Sequence, residues 1–147
     1  LRTCWEREPA LFAGRQLYLL RNLSRGRGLG FFTQDSNFYP DFILWLLEMD
    51  GDDVIHQSIA FIDPKGIRNS QGLDDAKIDF HRGIKAIEQQ LGDSAVTLNS
   101  FVLANTRLAE VQWWAPSYTL TDFEQHHLLF QLDAPDYIQR LIRLATH

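Results

Sequence analysis

Three residues in this chain carry chemistry by type and spacing: Asp41, Asp63 and Lys65. Asp41 opens the apolar run "DFILWLLE" (41–48), and Asp63 closes the run "QSIAFID" (57–63). Both runs are apolar on both faces, as expected of central strands in a covered sheet. The intervening "MDGDD" is turn chemistry centred near Asp52. In an antiparallel hairpin around that centre, position i faces position 104 − i, so Asp41 faces Asp63. The two carboxylates then lie opposite each other on one face, their Cβ atoms roughly 4.5–5.5 Å apart. Side-chain alternation adds Lys65 to that face. A one-residue slip would put the two acids on opposite faces.

Like charges directly opposed are unfavourable. Such a pair can share a proton, can be neutralised together by Lys65, or can hold a divalent cation. Hard oxygen ligands suit Mg²⁺, which takes one or two carboxylates and keeps several waters. A neighbouring lysine then positions water or stabilises charge on a phosphate. The plain alternative is a strand-end pair of acids with Lys65 as counter-ion.

The elements that must position these residues follow from pattern. Pro9 at a first helical position and Leu11, Leu17, Leu20 and Leu23 at helical spacing predict a helix from about residue 9 to 22–24. "LGFF" begins a strand. Asp74 or Asp75 caps a helix running to Leu91, which Gly92 stops. "TLNSFVLAN" and "HLLFQL" read as strands, and "PDYIQRLIRLAT" as a closing amphipathic helix. The expected order is α-β-β-β-α-β-β-α in one domain over residues 1–147, an α/β fold with a mixed sheet flanked by helices.

With those elements in place, "YPDFILWL…IAFIDPKG" resembles the PD-(D/E)xK nuclease superfamily. Pro40–Asp41 matches its first half-motif, and Asp63–Pro64–Lys65 its second. The wider run "LYLLRNLSRG…GFF…FYPDFILWL…AFIDPKG" also resembles the C-terminal nuclease-like region of type III restriction subunits and related defence helicases. The resemblance implies a restriction-endonuclease-like fold and a Mg²⁺-dependent endonuclease, with Mn²⁺ as a substitute metal and DNA as partner. It implies metal ligation by Asp41, Asp63 and the Pro64 carbonyl, with Lys65 acting on water or phosphate. Pro64 departs from the family, which has an ordinary apolar residue there; lacking an N–H, it requires the ladder to end or bulge. The family's extra glutamate on the first helix has only Glu6 and Glu8 as candidates.

Arg15, Arg21, Arg25 and Arg27 gather positive charge around "SRGRG". Arg25 and Arg27 are the candidate phosphate-backbone contacts; a solvated loop is the alternative. Lys77, His81 and Lys85 fall at i, i+4, i+8 of the second helix and are expected on a solvated face rather than lining a cleft. Trp113–Trp114 can stack bases, though such a pair is more often half core and half interface. Adjacent His126 and His127 are expected to be structural, because strand neighbours point to opposite faces.

Composition narrows the classes. The 147 residues carry a net charge of −5, which offers no overall attraction for nucleic acid. Cys4 is the only cysteine, so no internal disulfide forms. A reducing, cytoplasmic setting is expected. No apolar run reaches the roughly 18 residues of a membrane span. The chain begins at Leu1 rather than Met, as expected of a domain from a longer helicase or translocase chain. A non-catalytic nucleic-acid-binding or docking module is the second reading, and a metal-free enzyme using the acid pair the third.

Overall fold

The computed structural model describes residues 1–23, 27–32 and 37–147. The elements in chain order are α1 (Arg2–Arg7), β1 (Arg15–Arg21), β2 (Phe31–Phe32), β3 (Asn37–Phe38), β4 (Phe42–Asp50), β5 (Asp53–Lys65), α2 (Ala76–Leu91), β6 (Val96–Ala104), α3 (Leu120–Glu124), β7 (Leu128–Phe130) and α4 (Tyr137–Ala145). A five-stranded sheet has the order β1-β4-β5-β6-β7, and β2 and β3 form a separate small ladder. β4 is antiparallel to both β1 and β5, whereas β5, β6 and β7 run parallel. The molecule is therefore a mixed α/β fold built on a mixed sheet.

The first expected helix is absent. Pro9–Phe12 forms one 3-10 turn, and Gly14, at φ +69°, reverses the chain. "RQLYLLR" is then strand β1. A short apolar run fits either period, so leucine spacing alone does not separate helix from strand. β1 pairs with β4 from Arg15↔Glu48 to Arg21↔Phe42, and this ladder satisfies its backbone on one edge. "LGFF" contributes only to the small β2–β3 ladder.

The strands expected in "DFILWLLE", "QSIAFID", "TLNSFVLAN" and "HLLFQL" and the helices expected in 75–91 and "PDYIQRLIRLAT" are present, whereas α1, β3 and α3 are additions to the expected order. The β4–β5 register runs from Phe42↔Ile62 to Glu48↔His56, with a constant sum of 104. A bulge after Glu48 then lets Asp50 meet Asp53 across the Gly51–Asp52 turn. Gly51 sits at φ +61°, the left-handed conformation that glycine adopts without strain. The Asp75 carboxylate accepts the Lys77 N–H as the cap of α2, and Gly92, at φ +65°, ends that helix.

Both faces of the sheet are covered. Leu44, Leu46, Ala60, Ile62, Phe101 and Leu103 pack with Leu141, Ile142 and Ala145 of α4 and with buried Cys4 and Phe12. On the other face, Phe61 and Leu98 meet Phe80 and Ile84 of α2. Val102, Leu128 and Phe130 meet Ile78, Val111, Ala115 and Phe123. Burial of this size is the main stabilising contribution, at about 25 cal/mol per Å² of apolar surface. Among the described residues, no helix is long and apolar enough to cross a membrane.

Candidate active site

Register and alternation decide which side chains meet. Ile43, Ile59 and Phe61 belong to the face covered by α2. Alternation puts Asp41, Asp63 and Lys65 on that same face. The observed register, continued one residue beyond Phe42↔Ile62, sets Asp41 against Asp63. The two charges are felt electrostatically: Asp41 raises the pKa of Asp63. The acids thus converge at the carboxyl end of β5, where β6 runs parallel through Lys65↔Ala104. Ligand crevices in open α/β sheets lie outside such strand ends.

Pro64 is accommodated without a break. The Lys65 carbonyl accepts the Asn105 N–H (3.0 Å) on the β6 side. Alternation turns the Pro64 carbonyl to the other side, where β4 starts only at Phe42. The missing proline N–H therefore leaves no ladder bond unmade. The ladder ends on that side and continues to Lys65 on the other.

The lysine contacts differ from the expectation of shared neutralisation by Lys65. Lys65 Nζ donates to Asp75 Oδ2 at 2.5 Å. The partner of Asp63 is instead Lys77, whose Nζ donates to Asp63 Oδ2 at 2.7 Å. Lys77 comes from the first turn of α2, so the expected solvated stripe is corrected. Lys77 meets Asp63, Lys85 meets Glu88 at 2.9 Å, and His81 Nδ1 lies 2.8 Å from the Ile78 carbonyl. A signal was present in the sequence: a cation in a helix's first turn opposes the macrodipole and is kept there for another purpose.

The electrostatics follow from burial. The Asp63 side chain is 3% exposed and that of Lys77 40%. Burial pushes the Asp63 carboxyl above its ordinary pKa; Lys77's hydrogen bond and charge oppose the rise without reversing it, and the Asp41 charge adds to it. Asp75 goes the other way. Burial lifts it, but the Lys65 hydrogen bond, the Lys77 N–H, the Lys65 charge and the Ser70 hydroxyl together hold it below the usual carboxylate range. The site is a chain of charges, Asp41, Asp63 with Lys77, and Lys65 with Asp75. Asp75 and Lys77 are the members that sequence reasoning missed.

The remaining candidates divide. Arg15 is spent on Glu48 (2.8 Å) and the Leu11 carbonyl (3.0 Å). Arg25 lies outside the described residues, and Arg27 is exposed. The loop that carries Arg27 is anchored at the acid end of the sheet by Asn22. The Asn22 amide donates to the Leu29 and Pro40 carbonyls, both at 2.8 Å, and its oxygen accepts the Leu29 N–H at 2.9 Å. The Asn22 N–H itself binds the Asp41 carbonyl at 2.8 Å. Glu8 pairs with Arg143 (2.8 Å) and Glu6 with Arg2 (3.3 Å), so both candidates for the family's extra glutamate are engaged elsewhere. His127 stacks on Phe101 at 4.6 Å, and burial pushes its imidazole down to about 4. Cys4 is buried, and burial raises its thiol pKa, as befits an inert core residue.

Among the described residues, no three of the His, Cys, Asp and Glu side chains form a group able to hold a metal. The acid pair is what the site offers, and Mg²⁺ is held by one or two carboxylates in sites of this kind. The donors at this strand end are the two carboxylates and the Pro64 carbonyl; burial and the Asp41 charge raise the pKa of Asp63, and Lys77 opposes that rise.

The chain was compared with protein-family models, curated proteins and solved structures. None of the three comparisons finds a match. Function rests on the residues themselves.

Proposed function

We propose that this domain is a Mg²⁺-dependent endonuclease that hydrolyses DNA phosphodiester bonds on a restriction-endonuclease-like core, within a restriction or defence helicase-nuclease. The observation that carries the reading is the β4–β5 register. It brings the two acids of the resembled motif to one strand end, with Asp63 buried and electrically coupled to Asp41.

Asp41 and Asp63, with the Pro64 carbonyl, are the groups that would hold the ion. The ion would lower the pKa of bound water and offset charge on the phosphate. Lys65 stands two residues from Asp63 on the same face, and its charge reaches Asp63. Asp75 holds that ammonium in place by an ion pair, so it is available to a water or a phosphoryl oxygen without reorganisation. Lys77 offsets the Asp63 charge and would release that carboxylate to a bound cation. Arg27, on the loop pinned next to Pro40, supplies a backbone phosphate contact, with Arg25 beside it in sequence.

A second reading, the non-catalytic docking module, is favoured by β1. This edge strand leaves Tyr18, Leu19 and Leu20 about half exposed, and an open apolar edge invites a partner. Plasmid DNA incubated with the domain decides between them. Nicking with Mg²⁺ or Mn²⁺, abolished by chelator and by Asp63→Asn, supports the nuclease. Inert protein with both metals and varied DNA leaves the docking module.

A further inference from the structure

A cleft of about 440 Å³ opens between Ser70–Asp74 and the segment Trp113–Tyr118. Its volume lies within the roughly 300–1,000 Å³ of small-ligand sites. Its walls are aromatic: Trp113, Trp114 and Tyr118. Trp113 is 68% exposed, yet its ring is held, because Nε1 donates to the Arg68 carbonyl at 3.1 Å. An exposed indole with a fixed orientation is a stacking platform rather than a loose hydrophobe. Trp114 sits deeper, edge-on to Phe123 at 5.8 Å, and its Nε1 is buried without a partner among the described residues. A buried orphan donor costs roughly 1–3 kcal/mol. Gly72, at φ +83°, lies against the Trp114 ring, where an added Cβ would sit 3.7 Å from Cε3. The backbone thus forms a close wall.

The cleft is joined to the candidate active site. The hydroxyl of Ser70, which lines it, donates to Asp75 Oδ2 (3.1 Å), the oxygen that also holds Lys65. No lysine or arginine lines the cleft, and Asp74 does. A phosphate is therefore disfavoured inside, while a flat, neutral ring is suited. The Arg68 side chain is largely exposed and lies 3.7 Å from Glu110.

We propose that this cleft takes an unpaired nucleobase, presented by a single strand or by a free nucleotide, stacked on Trp113. The inference deepens the nuclease reading and rests on it for the substrate class. It makes the domain prefer frayed or single-stranded nucleic acid next to the scissile bond.

The test is binding in chelator, so that no cleavage is needed. Isothermal titration calorimetry follows titration with a 12-nucleotide single strand, the same strand with abasic sugars, a blunt duplex, and dAMP. The wild type should bind the base-bearing strand more tightly than the abasic one. Trp113→Ala should weaken that binding about 5- to 150-fold, the equivalent of one base stack. Trp113→Phe should retain most of it, and blunt-duplex and abasic binding should not change. Calorimetric binding of dAMP that is lost in Trp113→Ala and kept in Trp113→Phe supports the base pocket and assigns its ligand to free nucleotides. Equal affinity for base-bearing and abasic strands, or an unchanged Trp113→Ala, overturns the inference and leaves metal-dependent cleavage standing. Trp113-dependent binding in a protein that never cuts instead overturns the nuclease reading and leaves the pocket.

Discussion

Lys77→Met is the most informative perturbation of the charge chain. Lys77 and Asp63 form one ion pair at 2.7 Å, but their environments differ, with side chains 40% and 3% exposed. Removing one partner of a fully buried pair costs about 3–5 kcal/mol, because the other charge is left uncompensated. Lys77 is more than a third exposed, so solvent already screens part of its attraction, and the expected loss is about 1–3 kcal/mol. Asp63→Asn should cost less, within about 1 kcal/mol of wild type, since the orphaned lysine reaches water. The double variant should resemble Asp63→Asn rather than the sum of the two.

The loss should depend on pH. The native Asp63 pKa is raised, so the folded state binds more protons than the unfolded one between the unfolded value of about 3.9 and the native value. Stability therefore falls as pH rises through that window. Lys77→Met removes the largest opposing influence and extends the window upward. Its deficit should be fullest at pH 8 and shrink towards pH 4. Urea unfolding of the four proteins at pH 8, 6 and 4.5 measures this. A larger loss for Asp63→Asn than for Lys77→Met, or a deficit independent of pH, would refute the reasoning.

Other outcomes are expected from the same geometry. Mg²⁺ or Mn²⁺ should raise the melting temperature of the wild type and leave Asp63→Asn nearly unmoved, because the unfolded chain has no preformed site. Lys65→Ala should lower nicking by roughly 10²–10³ while calorimetric Mn²⁺ affinity holds or rises; Lys65→Arg should rescue little, since a planar fork does not replace a compact ammonium. Asp75→Ala should cost about 0.5–2 kcal/mol in urea unfolding through the lost helix cap, and reduce nicking by releasing Lys65. Gly92→Ala meets no atom within 4 Å, so its cost is conformational, about 1 kcal/mol, or roughly 2–4 °C in Tm for a domain of this size.

The hairpin that carries the acids was legible because two independent signals agree. The "MDGDD" turn chemistry locates the hairpin, and the two apolar runs mark its strands. The Gly51–Asp52 turn by itself pairs Asp50 with Asp53, a sum of 103 that would face Asp41 with Ile62; the bulge after Glu48 moves the sum to 104 and brings Asp41 opposite Asp63. β1 was misread for a physical reason. Tyr18 and Leu20 lie on a part of the sheet edge left open, so they stay apolar yet exposed, and the alternation that marks a strand is erased. The partners of the acids and of Lys65 were harder still. Lys77 and Asp75 meet β5 only because α2 crosses the sheet at one angle and height, and sequence spacing does not specify that. The dipole-opposed lysine in the first turn of α2 was the one trace of it.

Manganese-soaked crystals, read by anomalous diffraction, test the central claim most directly. The account predicts one peak between the Asp41 and Asp63 carboxylates and the Pro64 carbonyl, with Lys77 Nζ moved off Asp63 Oδ2 and Lys65 still on Asp75. A clean difference map at that position, with Lys77 still bonded to Asp63 at saturating Mn²⁺, would contradict it.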